Sequence, residues 1–190
     1  KSIYATASDK TKIELFFYVD NDDPALEQYK SLAAHCDSEY KDFKKVDFTF
    51  DEPKSVSISW NDLAAKSSGY LMIMGNDDLI YETPSWDVIL HQELLNFPND
   101  IFCAWFNDGI NEENHCAFPI VSRKWANTLG YCFAPIGTFH FGYNDTWTFD
   151  LGKRAGCLHY IPQVKVSHHH FSNNKANYDE TYKRNRENPK

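Results

Sequence analysis

Residues 70–78 read YLMIMGNDD: a run of apolar and aromatic side chains that passes through Gly75 straight into Asn76, Asp77 and Asp78. An unbroken apolar run of this length is the pattern of a strand covered on both faces, so residues 70–74 are expected to form a central strand and the most buried one. The same ending occurs three more times. Residues 13–19 (IELFFYV) run into Asp20, residues 46–50 (VDFTF) into Asp51, and residues 101–106 (IFCAWF) into Asn107-Asp108. With these strands parallel in one sheet, their acids gather along one rim, where open α/β sheets bind ligands.

The segments between the runs have helical character. Pro24 follows Asp20-Asn21-Asp22-Asp23 and suits a helix start, and Leu26, Tyr29, Leu32, Ala33 and Cys36 then form one stripe. Residues 58–66 read as a short helix closed by Ser67-Ser68-Gly69, and Pro84 opens another over 85–97. Helices are also expected over 123–129 and over 145–155, the latter capped by Gly156, with one or two short strands over 158–167 broken at Pro162. The Gly/Pro-punctuated aromatic stretch up to Tyr143 reads as a substrate-specific lobe. The fold class is therefore α/β, with a mostly parallel central sheet flanked by helices. One domain over 1–172 is expected, followed by a polar tail over 173–190.

At 190 residues and a formal charge of −8, the chain argues against general nucleic-acid binding, which needs clustered Lys and Arg. Cys36, Cys103, Cys116, Cys132 and Cys157 are scattered and show no CxxC spacing, which suggests neither a disulfide framework nor a zinc knuckle. No apolar stretch approaches the roughly 18 residues of a membrane span, and no signal-like segment opens the chain. A soluble protein of a reducing compartment, the cytoplasm, is expected. Lys1 is not Met, and residues 1–7 read as the end of a helix, so further chain is expected upstream.

Three constellations carry chemistry. In Asn76-Asp77-Asp78, carboxylates set off by Gly75 can hold a hard cation with one oxygen and a ribose hydroxyl with another, leaving coordination sites for two phosphate oxygens. The competing reading is a turn or helix cap. In His168-His169-His170, an extended chain turns His168 and His170 to one face, and either could join Asp78 around manganese or magnesium. A solvated polar edge is the alternative. Asp145, at the start of a helix, is either a cap or a general base for a sugar hydroxyl. The aromatics crowded between Trp105 and Trp147 are read as core, with one or two as a platform for a sugar ring. His35, His91, His115, His140 and His159 are read as ordinary, and Arg123-Lys124 and Lys153-Arg154 as solvated, with phosphate contact as the alternative.

The order of these pieces resembles the GT-A fold glycosyltransferases, in particular small family-2-like enzymes such as those encoded by large viruses and phages. The matching pieces are FFYVDNDDP, SWNDLAAKSSGY, LMIMGNDDLIYETPSWD, FPIVSRKW and the closing FHFGYNDTWTFDLGKRAG with YIPQVKVSHHH, which together cover the chain up to about Phe171. The resemblance implies that Asp20 and Asp22 contact the nucleoside, that Trp60 and Asn61 border the nucleotide, and that Asn76-Asp77-Asp78 stands at the Asp-x-Asp position. It implies Asp78 as the first choice of metal ligand, Asp145 as catalytic base, and His168 or His170 at the metal or diphosphate. The motif begins with Asn76 instead of Asp, which leaves open whether Asp77 or Asp78 leads. The family's first strand and its nucleotide-contacting loop would precede Lys1.

The implied activity is metal-dependent transfer of a sugar from a nucleotide-diphosphate donor to a glycan or other hydroxyl acceptor, with inversion. A nucleotidyltransferase acting on a sugar phosphate and a non-catalytic glycan-binding module are the rival readings.

Overall fold

In the computed structural model, which describes residues 1–175 together with Tyr178 and Lys183, seven strands divide between two sheets. Most of the expected polar tail lies outside the described residues. A short helix α1 (Ser2–Thr6) precedes β1 (Glu14–Asp20), α2 (Leu26–Glu39), β2 (Lys45–Asp51) and α3 (Val56–Lys66). Then follow β3 (Leu71–Ile73), β4 (Leu79–Tyr81), α4 (Trp86–Leu94), β5 (Cys103–Asn107), β6 (Ile120–Ser122), α5 (Arg123–Leu129), α6 (Asn144–Ala155) and β7 (Leu158–His168).

β1 and β2 pair in parallel, with Asp20 opposite Asp51 at their ends. The other five strands form one curled sheet in the order β3-β6-β5-β7-β4. This sheet is mixed, which corrects the expectation of one mostly parallel sheet: only β5 and β7 pair in parallel, while β3–β6, β5–β6 and β4–β7 are antiparallel. The connections supply the reason. A parallel return needs a crossover of a dozen or more residues, usually helical. Only residues 74–78 join β3 to β4, and the 108–119 link from β5 to β6 carries just a single 3₁₀ turn.

The strand expected at the centre, β3, is one of the two edge strands of the five, and Tyr70 ahead of it is half exposed. β6, whose three residues are all fully buried, is the most buried strand, followed by β5. The alternation of β5 sends Phe102, Ala104 and Phe106 into one apolar layer with Trp86, Leu90 and Ile161, and Cys103 and Trp105 into the opposite layer with Met72, Trp125 and Phe133. Proline 162 does not split the last strand. β7 continues through a register shift against β5 at Phe106/Asn107 and goes on to pair with β4.

The two sheets are joined at their strand starts. Ser68, just ahead of β3, donates its backbone N–H (2.8 Å) and its hydroxyl (2.5 Å) to the Glu14 carboxylate at the head of β1, and Lys44 Nζ lies 3.0 Å away. Burial opposes the charge on Glu14, but the Ser68 bonds and Lys44 outweigh it and hold the carboxyl at about 2. A folded-state value below the usual 4.5 stabilises the fold above that pH, and the contribution is lost as pH falls towards 2. Because Lys44 is half exposed and its pull is screened by solvent, the contribution at neutral pH is about 1–3 kcal/mol. Denaturant titration of wild type and Glu14→Gln is expected to show a stability gap at pH 7 that shrinks by more than half at pH 3. A gap independent of pH would refute the assignment.

Arg123, expected in solvent, instead bolts the same corner. Its guanidinium donates to the carbonyls of Ala64, Ser67 and Gly69 and to the Ser67 hydroxyl. Lys153 and Arg154 are exposed in the last turn of α6, where cations suit the helix dipole.

α6 lies close against the sheet because residue 152 is glycine. A Cβ there would stand 2.8 Å from both Cys103 Cβ and Leu158 Cδ2. Gly152→Ala is therefore expected to destabilise: overpacking costs about 1–3 kcal/mol, more than the ~1 kcal/mol of helix propensity gained. Thermal unfolding should show a Tm lower by a few degrees, and a Tm at or above wild type would contradict the packing.

Candidate functional site

β3 and β5 both run antiparallel to β6, and β7 runs parallel to β5, so β3, β5 and β7 point the same way. Their C-terminal ends deliver Gly75 to Asp78, Asn107-Asp108 and His168 to one rim; of the four acidic strand ends expected to meet there, Asp20 and Asp51 instead close the separate β1–β2 sheet. Gly75, Asn76 and Asp77 are exposed there, whereas Asp78 and His168 are half-buried.

The pairing of β4 with β7 places Leu79 opposite His168 and brings the preceding Asp78 against the imidazole. His168 Nε2 lies 3.0 Å from Asp78 Oδ2, and the His169 backbone N–H donates to the Asp78 carbonyl at 2.9 Å. Two polar atoms of this pair, Asp78 Oδ1 and His168 Nδ1, are buried and have no hydrogen-bond partner. In the tautomer that carries its proton on Nε2, directed at the carboxylate, His168 Nδ1 is an acceptor, as Asp78 Oδ1 is. A buried acceptor left unmatched costs about 1–3 kcal/mol, and either an ordered water or a cation would satisfy it.

Among the described residues, no group of three or more His, Cys, Asp or Glu side chains is arranged to hold a metal by itself. A two-residue donor set still fits a hard cation whose remaining ligands are water and substrate phosphate, which is how magnesium is usually held beside nucleotides. The His168 and His170 rings lie 4.9 Å apart, although β7 ends at His168 and His170 belongs to the turn beyond it. Phe118, in the link ahead of β6, packs edge-on against His168 at 4.8 Å.

Asp77 is met from α2. The Tyr29 hydroxyl donates to Asp77 Oδ2 at 3.1 Å, and burial, followed by the Asp77 charge, pushes Tyr29 up to about 12, so it remains a donor at neutral pH. This contact ties the end of the β1–β2 unit to the rim of the larger sheet. Asp20 is half-buried at the end of β1, and Asp22 is exposed in the turn that follows.

Trp60 packs edge-on against Phe133 with ring centres 6.0 Å apart. Asn61 is committed within the protein: its Nδ2 donates to the Ser57 and Ala134 carbonyls, and its Oδ1 accepts from the Cys132 N–H. Any effect of Asn61 on a ligand passes through the 132–134 loop that it holds. Asp108 is likewise structural. It is buried, and its carboxylate accepts from the N–H groups of Ile110, Asn111 and Glu112 and from Asn111 Nδ2, which shapes the loop towards β6.

Asp145 stands in the first turn of α6. Asn144 before it is buried, and the Thr148 hydroxyl donates to the carbonyls of Phe133 and Asn144, anchoring this end of the helix to the aromatic stretch. Asp145 Oδ2 lies 3.2 Å from Nε2 of His115, a histidine that nothing in its sequence spacing marked out. The hydrogen bond to Asp145 raises the His115 pKa from 6.5 against the opposing effect of burial, with the charges of Asp145, Asp108 and Asp150 adding to the rise. Asp108 connects the two pairs, since its backbone carbonyl accepts from His168 N–H at 3.2 Å while its carboxylate acts on His115.

Beside Asp145 lies an aromatic surface. Tyr143 is 71% exposed and Trp147 38% exposed, one helical turn apart, with Phe139 within 6.3 Å of both rings. Tyr143 has φ 69°, a left-handed conformation that is strained for a side chain of this size. All five cysteines are buried free thiols, and burial pushes Cys132 up to about 12, so these groups belong to the core.

Compared with protein-family models, with curated proteins and with solved structures, the chain matches none.

Proposed function

We propose that this protein is a metal-dependent glycosyltransferase of the GT-A kind, which moves a sugar from a nucleotide-diphosphate donor to an acceptor hydroxyl with inversion. The observation that carries the reading is the Asp78–His168 pair, with two orphaned acceptor atoms at the rim where β3, β5 and β7 end. Asp78 with His168, or with His170, would hold manganese or magnesium; the cation would offset the charge that develops on the departing diphosphate. Asp20 and Asp22, at the end of β1, are assigned to the nucleoside, and Asn76 and Asp77 to the nucleotide at its ribose hydroxyls, the phosphate oxygens being left to the cation. Trp60 would border the base, and Asn61 would shape that border through its loop.

At the other end of the displacement, Asp145 takes the proton of the acceptor hydroxyl as that oxygen bonds to the anomeric carbon. The bond from that carbon to the diphosphate oxygen breaks, and its electron pair leaves with the nucleoside diphosphate. Tyr143 and Trp147 offer the acceptor ring an apolar face beside the base. No transmembrane helix is present among the described residues, and the proposed setting for the reaction is the cytoplasm.

The test is to incubate the protein with uridine, guanosine, adenosine and thymidine diphosphate sugars, manganese and a panel of simple glycosides, and to analyse the products by chromatography and mass spectrometry. One nucleoside diphosphate released together with a glycoside heavier by one sugar is expected. Pyrophosphate release from a nucleoside triphosphate and a sugar phosphate would replace this reading with a nucleotidyltransferase. Glycan binding without nucleotide binding would replace it with a lectin-like module built on Tyr143 and Trp147.

A further inference from the structure

We propose that His115 is the positioning residue of the Asp145 carboxylate, holding Oδ2 through its Nε2–H so that Oδ1 is left for the acceptor hydroxyl. The inference rests on the reading of Asp145 as the base.

The contact belongs to a closed ring of packing. His115 lies edge-on to Phe149 at 5.2 Å, and Phe149 is one helical turn beyond Asp145 on α6. Phe149 in turn meets Trp105 of β5 edge-on at 5.6 Å. Trp105 Nε1 donates to the Glu112 carbonyl at 2.8 Å, which closes the loop that carries His115. The imidazole is thus fixed from the strand, the helix and the loop, with 28% of its side chain exposed against 31% for Asp145.

A half-exposed aspartate at a helix start would otherwise rotate about both side-chain bonds and hydrogen-bond water through either oxygen. An N–H on one oxygen removes that freedom and sets which lone pairs face outward, which is the role of the third group in nucleophile–base–orienter arrangements. The charged groups facing His115 are Asp145 and Asp150 from α6 and Asp108 from the loop after β5, all of them acidic. They favour the protonated imidazole, so the partner of Asp145 is a charged donor to a higher pH than an isolated histidine would be, and such hydrogen bonds are the stronger kind.

The experiment has two arms. In the first, the imidazole of His115 is titrated by NMR in wild type and in Asp145→Asn. The midpoint is expected above 6.5 in wild type and lower in the variant; an identical midpoint in both would overturn the pairing, whatever the enzyme transforms. In the second, kcat and donor KM are measured for His115→Ala and His115→Gln with the donor identified in the panel above. His115→Ala should lose about 10–100-fold in kcat, the usual loss on removing a group that orients a functional side chain, with donor KM unchanged. His115→Gln, whose amide can donate in place of Nε2–H, should recover most of that loss. Wild-type kcat in His115→Ala alongside an inactive Asp145→Asn would overturn the inference and leave the base assignment intact, whereas an active Asp145→Asn would remove the base assignment itself.

Discussion

Asp145→Asn is expected to lower the rate of sugar transfer by about 10²–10⁴-fold, the usual contribution of a positioned general base, while leaving binding of the donor within a few-fold of wild type. The substitution keeps the shape of the side chain. Asn Oδ1 can still accept from His115 Nε2, so α6, the Phe149–Trp105 contact and the Thr148 anchor should all persist. Only the capacity to take a proton is removed. The measurement is single-turnover transfer, with donor affinity determined by calorimetry on the same preparation. A variant that transfers at near-wild-type rate would show that Asp145 does not take the acceptor proton, and would favour a retaining displacement. Lost transfer together with lost donor binding would instead place Asp145 in the donor site.

Asp78→Ala is expected to abolish manganese-dependent binding of the cognate nucleoside diphosphate, lowering affinity by at least about 100-fold. Removing a group that only orients a metal ligand costs 10–100-fold, so removing the ligand itself should exceed that range. Loss of Asp78 also leaves His168 Nε2 without its carboxylate, while removing the orphaned Oδ1. These effects on folding oppose one another, and the variant should remain folded. Calorimetry with and without manganese reads the outcome. Metal-independent binding of equal strength in wild type and variant would refute the cation site. Metal-dependent binding that survives in Asp78→Ala but is lost in Asp77→Ala would move the ligand by one position.

How much of this was legible in the sequence depends on the range of the interaction. α5 was readable to the residue at Arg123–Leu129, because Ser122 supplies a local cap: its hydroxyl accepts from the Trp125 N–H. α6 was readable to within one residue, closed by Gly156 at φ 66°. The acidic strand ends were readable as well, since an apolar run stopped by Asp or Asn is a pattern of neighbours in the chain. The mixed sheet was not. The expectation of parallel strands assumed that each run returns through a helix, and a link as short as 74–78 reverses the chain without one. The centrality of 70–74 failed for a related reason: an apolar run shows that a segment wants to be covered, without showing whether strands or side chains cover it.

The candidate site divides in the same way. Asp78, His168 and Asp145 could be nominated individually by residue type and local context, but His115 could not, because a histidine 30 positions from its carboxylate leaves no periodic trace. Arg123 and Asn61 present the converse case. Arg123 was expected in solvent and Asn61, by the resemblance alone, at the nucleotide, and the fold uses them to satisfy backbone carbonyls and N–H groups of distant loops. The sequence by itself determined where strands end in acids and, to within about three residues, where helices start and stop, because those are governed by contacts a few residues apart. Which acid meets which histidine was decided only by the tertiary structure. The Leu79–His168 register joins residues some 90 positions apart, and a slip of one residue would turn either side chain to the other face of the sheet.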